Sequence, residues 1–78
     1  MPRKDGYNIG LAVKYYRELK GYSQRKLAKE VNISNAMISL LESSQRESVG
    51  ADIMYEISIA LDISCDSLMQ KAKELGGV

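Results

Sequence analysis

Small polar residues suited to helix N-caps stand immediately ahead of apolar residues recurring three and four positions apart along most of this chain. That combination leaves little but helices to build with. Asn8 is placed to cap a first helix whose Ile9, Val13 and Tyr16 follow i, i+4, i+7 spacing. Leu19 is expected to continue its buried side, and Gly21 supplies a left-handed stop. Ser23 opens a second helix, 23–31, carrying Leu27, Ala28 and Val31. Asn32 falls where the chain must turn, and asparagine tolerates positive φ better than most residues other than glycine. Ser34 opens a third helix, 34–42, with Ile38 and Leu41 facing inward. A polar stretch from Ser43 to Gly50 precedes a fourth helix with Ile53, Ile57, Ala60 and Leu61 on its apolar side and Met54 beside it. Asp62 to Ser64 turn the chain, Ser64 caps, and Leu68, Met69, Ala72 and Leu75 form a fifth stripe that Gly76 and Gly77 end. β-branched residues never alternate with polar ones over a useful length, so strands are not expected. Internal repeats and low-complexity tracts are not evident either. The fold class read from these signals is all-α, five short helices in one compact domain.

With 78 residues, the chain suits one small domain. A domain of that size buries only about 60% of the surface its unfolded form exposes, so association would help it. No apolar run exceeds three residues, Leu11–Val13 being one example, which argues against a membrane span or secretory signal. The single cysteine, Cys65, has no internal disulfide partner, and the chain has no histidine. Neither a metal site nor a Cys–His or histidine-based catalytic machine is expected, and there is no glycine-rich phosphate loop. The expectations are therefore no enzyme, no cofactor, no small-molecule ligand, and a cytoplasmic location.

Formal net charge is +1, but its distribution is uneven. Residues 1–31 hold eight Lys/Arg (Arg3, Lys4, Lys14, Arg17, Lys20, Arg25, Lys26, Lys29) against three acids, giving +5. Residues 32–70 hold Arg46 against six acids, giving −5, and the last eight residues add +1. A basic half and an acidic half fit one face that favours a polyanion and another that avoids it, although small domains also show such scatter.

The informative spacing lies at 24–42. Leu27, Ala28, Val31, Asn32, Ile33, Ile38 and Leu41 fit two short helices crossing steeply. Ala28 is small where the second helix passes close, Asn32 takes the left-handed turn, and Ile33 plugs the corner. This is the helix-turn-helix pattern, spanning 23–42, and it would place helix 34–42 in a DNA major groove. Over roughly residues 9–69 the chain resembles the Cro/repressor-type, or Xre, helix-turn-helix family. The resemblance rests on "YYRELKGYSQRKLAKEVNIS", "NAMISLLE" and "ISIALDISCDSLM". Gln24, Ala28 and Glu42 occupy family positions, and the phrase Ala60–Leu61–Asp62–Ile63–Ser64 matches the family's closing motif. Departures are Asn32 for the usual turn glycine, Ser43 and Ser44 after the third helix, and a following loop without proline and about one residue longer. The resemblance implies a five-helix, lambda-repressor-like DNA-binding domain over 8–78, preceded by a flexible basic arm at 1–7 with Arg3 and Lys4. It also implies an Arg17–Glu42 ion pair.

Asn35, Ala36, Ser39 and Leu40 map to the groove-facing side of the third helix. Asn35 is suited to a bidentate pair with adenine, and Ala36 and Leu40 to thymine methyls, which would favour an A·T-leaning half-site. Ala36, Met37 and Leu40 equally describe an apolar patch for a protein partner. Ser23, Gln24 and Arg25 at the start of the second helix suit a phosphate, with Arg17, Gln45 and Arg46 as further phosphate candidates. Lys26 shares that helix start, where a cation opposes the helix dipole unless a phosphate is near. The tyrosines fit core or half-buried positions better than base stacking, and Cys65 fits a small buried hydrophobe. The expected function is a transcriptional regulator, a repressor, binding double-stranded DNA as a homodimer on an inverted repeat. The rival is a protein-interaction module using the apolar side of helix 34–42.

Overall fold

The computed structural model describes residues 8–43 and 50–76. They form α1 (Ile9–Lys20), α2 (Gln24–Val31), α3 (Asn35–Glu42), α4 (Ala51–Ala60) and α5 (Cys65–Gly76), with no strand among them. The arm at 1–7 and the candidates Gln45 and Arg46 lie outside the described residues.

One device repeats at three of the corners. Gly21, Asn32 and Asp62 adopt left-handed backbone with φ of 81°, 63° and 58°. In each, the left-handed residue's N–H reaches the carbonyl three back: Glu18, Lys29 and Ile59 at 3.0, 3.3 and 3.1 Å. The next N–H reaches the carbonyl five back: Arg17, Ala28 and Ser58 at 3.0, 3.0 and 2.9 Å. This pairing closes the open carbonyls of a helix end and sets an apolar residue over its last turn. Tyr22, Ile33 and Ile63 fill that place and pack on the core. The third residue caps the next helix: Ser23, Ser34 and Ser64 accept from the N–H of Lys26, Met37 and Ser67, each at 3.0 Å. Gly-Tyr-Ser, Asn-Ile-Ser and Asp-Ile-Ser are thus one conformational unit used three times. Sequence inspection for repeats misses it because only the serine is identical.

Leu27, Ile38, Leu41, Ile57, Leu68 and Val13 are fully buried at the centre. Helix α1 packs on α5 and α3, α2 on α3 and α4, and α4 on α5. Helices α1 and α3 cross closely: a Cβ on Gly10 would fall on the carbonyl oxygen of Leu41 and 2.9 Å from its carbonyl carbon. The N-terminus of α1 is tied to α5 by the Asn8 N–H donating to the Ala72 carbonyl at 2.9 Å.

Leu19 does not continue the buried side of α1; it is 70% exposed. The buried arc runs through Ala12, Val13 and Arg17, and Leu19 lies on its rim in the last turn, past the core. Leu68 and Ala72 of α5 are core, whereas Leu75 is exposed. Tyr16 and Tyr22 are half-buried, but Tyr15 and Tyr55 are exposed, so the tyrosines among the described residues divide between core and surface. Cys65 is half-buried, its thiol 3.5 Å from the Ser58 hydroxyl.

Candidate nucleic-acid interface

The α2–α3 corner positions everything else. Ala28 is 4% exposed, and its carbonyl accepts the Ile33 N–H, so the turn folds directly back over it. Leu27 and Val31 on α2 and Ile38 and Leu41 on α3 enter the common core. An eight-residue helix buried through Ile38 and Leu41 must present the opposite side outward. Asn35, Ala36, Ser39 and Leu40 are all exposed there, and Met37 is half-buried. The structure therefore brings these four side chains onto one outer face of α3, uncovered by any other described element. The only carboxylate on that helix, Glu42, is turned inward and buried.

Glu42 is the centre of a clamp. Its Oε2 accepts from Arg17 Nε at 2.7 Å and its Oε1 from Arg17 Nη2 at 3.0 Å, a two-pronged pair. Gln24 Nε2 donates to the same Oε1 at 3.0 Å. Arg17 Nη1 donates to the Tyr22 carbonyl at 2.7 Å, which ties in the α1–α2 corner. Three side chains and one carbonyl thus lock the C-terminal end of α3 to α1 and to the start of α2. The hydrogen bond to Glu42 holds the Arg17 guanidinium above its ordinary pKa; burial pulls the other way, and the charges of Glu42 and Glu18 add to the rise. No buried side-chain nitrogen or oxygen among the described residues lacks a partner.

This arrangement sorts the sequence candidates. Arg17 is buried with its guanidinium directed at Glu42 and Tyr22, which makes it a structural group. Gln24 is half-buried and shared between Glu42 and the surface at the start of α2. Ser23 and Arg25 are exposed beside it, and the Ser23 hydroxyl is engaged as the cap. The sequence reading assigned no role to Tyr22 or Lys20 here. Lys20 and Lys26 place their ammonium groups 5.6 and 5.3 Å from the centre of the Tyr22 ring, adding positive charge at the start of α2. The signal was available: Lys20, Tyr22 and Lys26 bracket the corner and the cap. Lys26 also pairs with Glu30 at 3.5 Å across exposed surface.

A helix-turn-helix family model matches residues 13–68, from the middle of α1 into the start of α5. The transcriptional regulator SinR of Bacillus subtilis is 29% identical over 66 residues, covering 85% of this chain and 60% of SinR. The chain thus spans about 60% of the length of that relative. A crystal structure of SinR, a master regulator for biofilm formation, in complex with DNA superposes with a TM-score of 0.74 at 30% identity. That match covers 77% of this chain and 95% of the other. The P22 c2 repressor in complex with a synthetic operator gives 0.70 at 31% identity, covering 80% and 92%. These relatives are regulators rather than enzymes, and the matched span holds the corner, the clamp and the outer face of α3 together. The chain belongs to the helix-turn-helix family, in its Xre/Cro, phage-repressor type.

Proposed function

We propose that this protein is a sequence-specific regulator of transcription that binds double-stranded DNA, with α3 entering the major groove and α2 lying across the backbone. The observation that carries the reading is the outer face of α3: Asn35, Ala36, Ser39 and Leu40 all exposed on a helix whose other side is clamped into the core. Asn35 reads adenine through two hydrogen bonds, Ala36 and Leu40 take thymine methyls, and Ser39 adds a polar contact. Ser23, Gln24, Arg25 and the free amides of α2 hold one phosphate, and Gln45 and Arg46 another. The protein acts in the cytoplasm as a homodimer on an inverted repeat, with half-site centres about 34 Å apart. It represses by occupying its site. DNA complexes of SinR and the P22 c2 repressor at 30% and 31% identity support this reading, as does the basic first third of the chain.

A salt titration on random duplex tests it. Two phosphates held by each protomer, through Arg25 and Arg46, make about four per dimer, so affinity should fall roughly 10²-fold between about 50 and 200 mM salt. Selection of bound duplexes from a random pool should then return an A·T-leaning inverted repeat. Leu40, 47% exposed beside Ala36, favours the alternative of a protein partner on α3. Binding that is flat with salt, or no enriched sequence, would favour that alternative and overturn the DNA reading.

A further inference from the structure

Helix α4 carries a second outward surface, of a different character from α3. Tyr55 and Ile59 are 58% and 56% exposed and, four apart, stand one above the other on one side of the helix. Asp52 and Glu56 stand three residues before Tyr55 and Ile59 and are their neighbours on the helix surface, while Asp62 lies past the end of α4 in the left-handed turn that follows. All three carboxylates are exposed, and none has an ion-pair partner among the described residues. Residues 50–70 hold four acids (Asp52, Glu56, Asp62, Asp66) and not one Lys or Arg. The core accounts for neither the exposed rings and branches nor the surplus charge, because α4 packs inward on α2 and α5 through Ile57 and Ser58.

Charge decides what such a face can receive. DNA is repelled by it. A second copy packing its own α4 on this one across a two-fold axis would bring Asp52 and Glu56 near the same two carboxylates, with no cation on α4 to relieve them. A segment that brings apolar side chains to Tyr55 and Ile59 and ammonium or guanidinium groups to the flanking acids is complementary in both respects. We propose that the outer face of α4 is a docking surface for a cationic amphipathic segment of another protein. The face lies on a different helix from the reading surface, so a regulator bound to DNA through α3 keeps it free.

The test is amide chemical-shift mapping on the isotopically labelled full chain. The probe is a short synthetic amphipathic helix of Leu and Lys, with a Leu and Glu version as control. The expected shifts are confined to residues 51–62 with the lysine peptide and absent with the glutamate peptide. Asp52→Lys with Glu56→Lys should weaken binding about tenfold or more, and Tyr55→Ser with Ile59→Ser should abolish it. Circular dichroism should show both variants folded, since all four positions are exposed. Equal binding of the two peptides, or shifts lying elsewhere, would overturn the proposal. So would sedimentation showing a wild-type dimer that Tyr55→Ser with Ile59→Ser turns into a monomer, because the face would then belong to a second copy.

Discussion

Removing Arg17 should cost far more stability than the Arg17–Glu42 pair contributes. In Arg17→Met, the carboxylate of Glu42, 6% exposed, loses both guanidinium hydrogen bonds and keeps only the one from Gln24. The Tyr22 carbonyl loses its donor as well. An uncompensated buried charge of this kind costs about 3–5 kcal/mol. A domain of 78 residues has roughly 4–12 kcal/mol in all, so the single variant should lose about a quarter of it or more. Arg17→Met with Glu42→Leu removes both charges and leaves the Tyr22 carbonyl as the main loss, about 1–3 kcal/mol. The double variant should therefore be more stable than Arg17→Met alone. The assay is urea unfolding followed by circular dichroism at low temperature, with a double-mutant cycle giving the coupling. Additive single effects would refute the clamp, as would an Arg17→Met loss under about 1 kcal/mol. The pH behaviour has a definite sign. The guanidinium pKa is raised in the folded state, so its contribution is complete below the ordinary arginine value and is lost only above that. Titration of Arg17 should give no stability change across the neutral range.

Gly10→Ala should destabilise. On an open helix surface the same change would stabilise by about 1 kcal/mol, but here the new Cβ meets the Leu41 carbonyl and must push α1 off α3, costing about 1–3 kcal/mol or more. Thermal unfolding reads the sign, with a fall of several degrees expected. Asn32→Gly should leave stability within about 0.5 kcal/mol, whereas Asn32→Ala should cost about 1–2 kcal/mol at a φ of 63°; equal effects would mean the corner relaxes away from left-handed backbone. Asn35→Ala should relax preference at one base pair by about 1–3 kcal/mol in competition binding, while Gln24→Ala should weaken specific and random duplex alike. A uniform loss with the first, or a selective loss with the second, would exchange their roles.

What was legible in the sequence was whatever local chemistry dictates. Asn8, Ser23, Ser34 and Ser64 are side-chain caps, and Asn32 is left-handed, because caps and positive φ admit few residue types. The inward faces of α2 and α3 follow from helical spacing alone. Leu19 shows where that logic stops: periodicity assigns a side to a residue but not whether another element reaches that far along the helix. Asp62 was legible as a turn but not as left-handed, since aspartate serves both uses. Gly10 passed unnoticed because its reason lies in the Leu41 backbone, 31 residues away, and no local pattern records it. Gln24 as a third partner of Glu42 was hidden likewise, one amide serving a distant carboxylate.

The same division explains why the scaffold is easier to read than its target. Every group that holds α3 in place is buried or capped: Ile38 and Leu41 in the core, Glu42 in the clamp, Ser34 on the Met37 amide. Those roles restrict residue type, and restricted positions carry pattern. Asn35, Ala36, Ser39 and Leu40 do none of this holding, and exposed helix positions accept many residues at within about 0.5 kcal/mol. A helix fixed from one side and chemically unconstrained on the other can change what it reads without changing how it is held. On the proposed reading the four outer residues answer to the DNA alone, with Ala36 and Leu40 supplying shape and methyl complementarity to it.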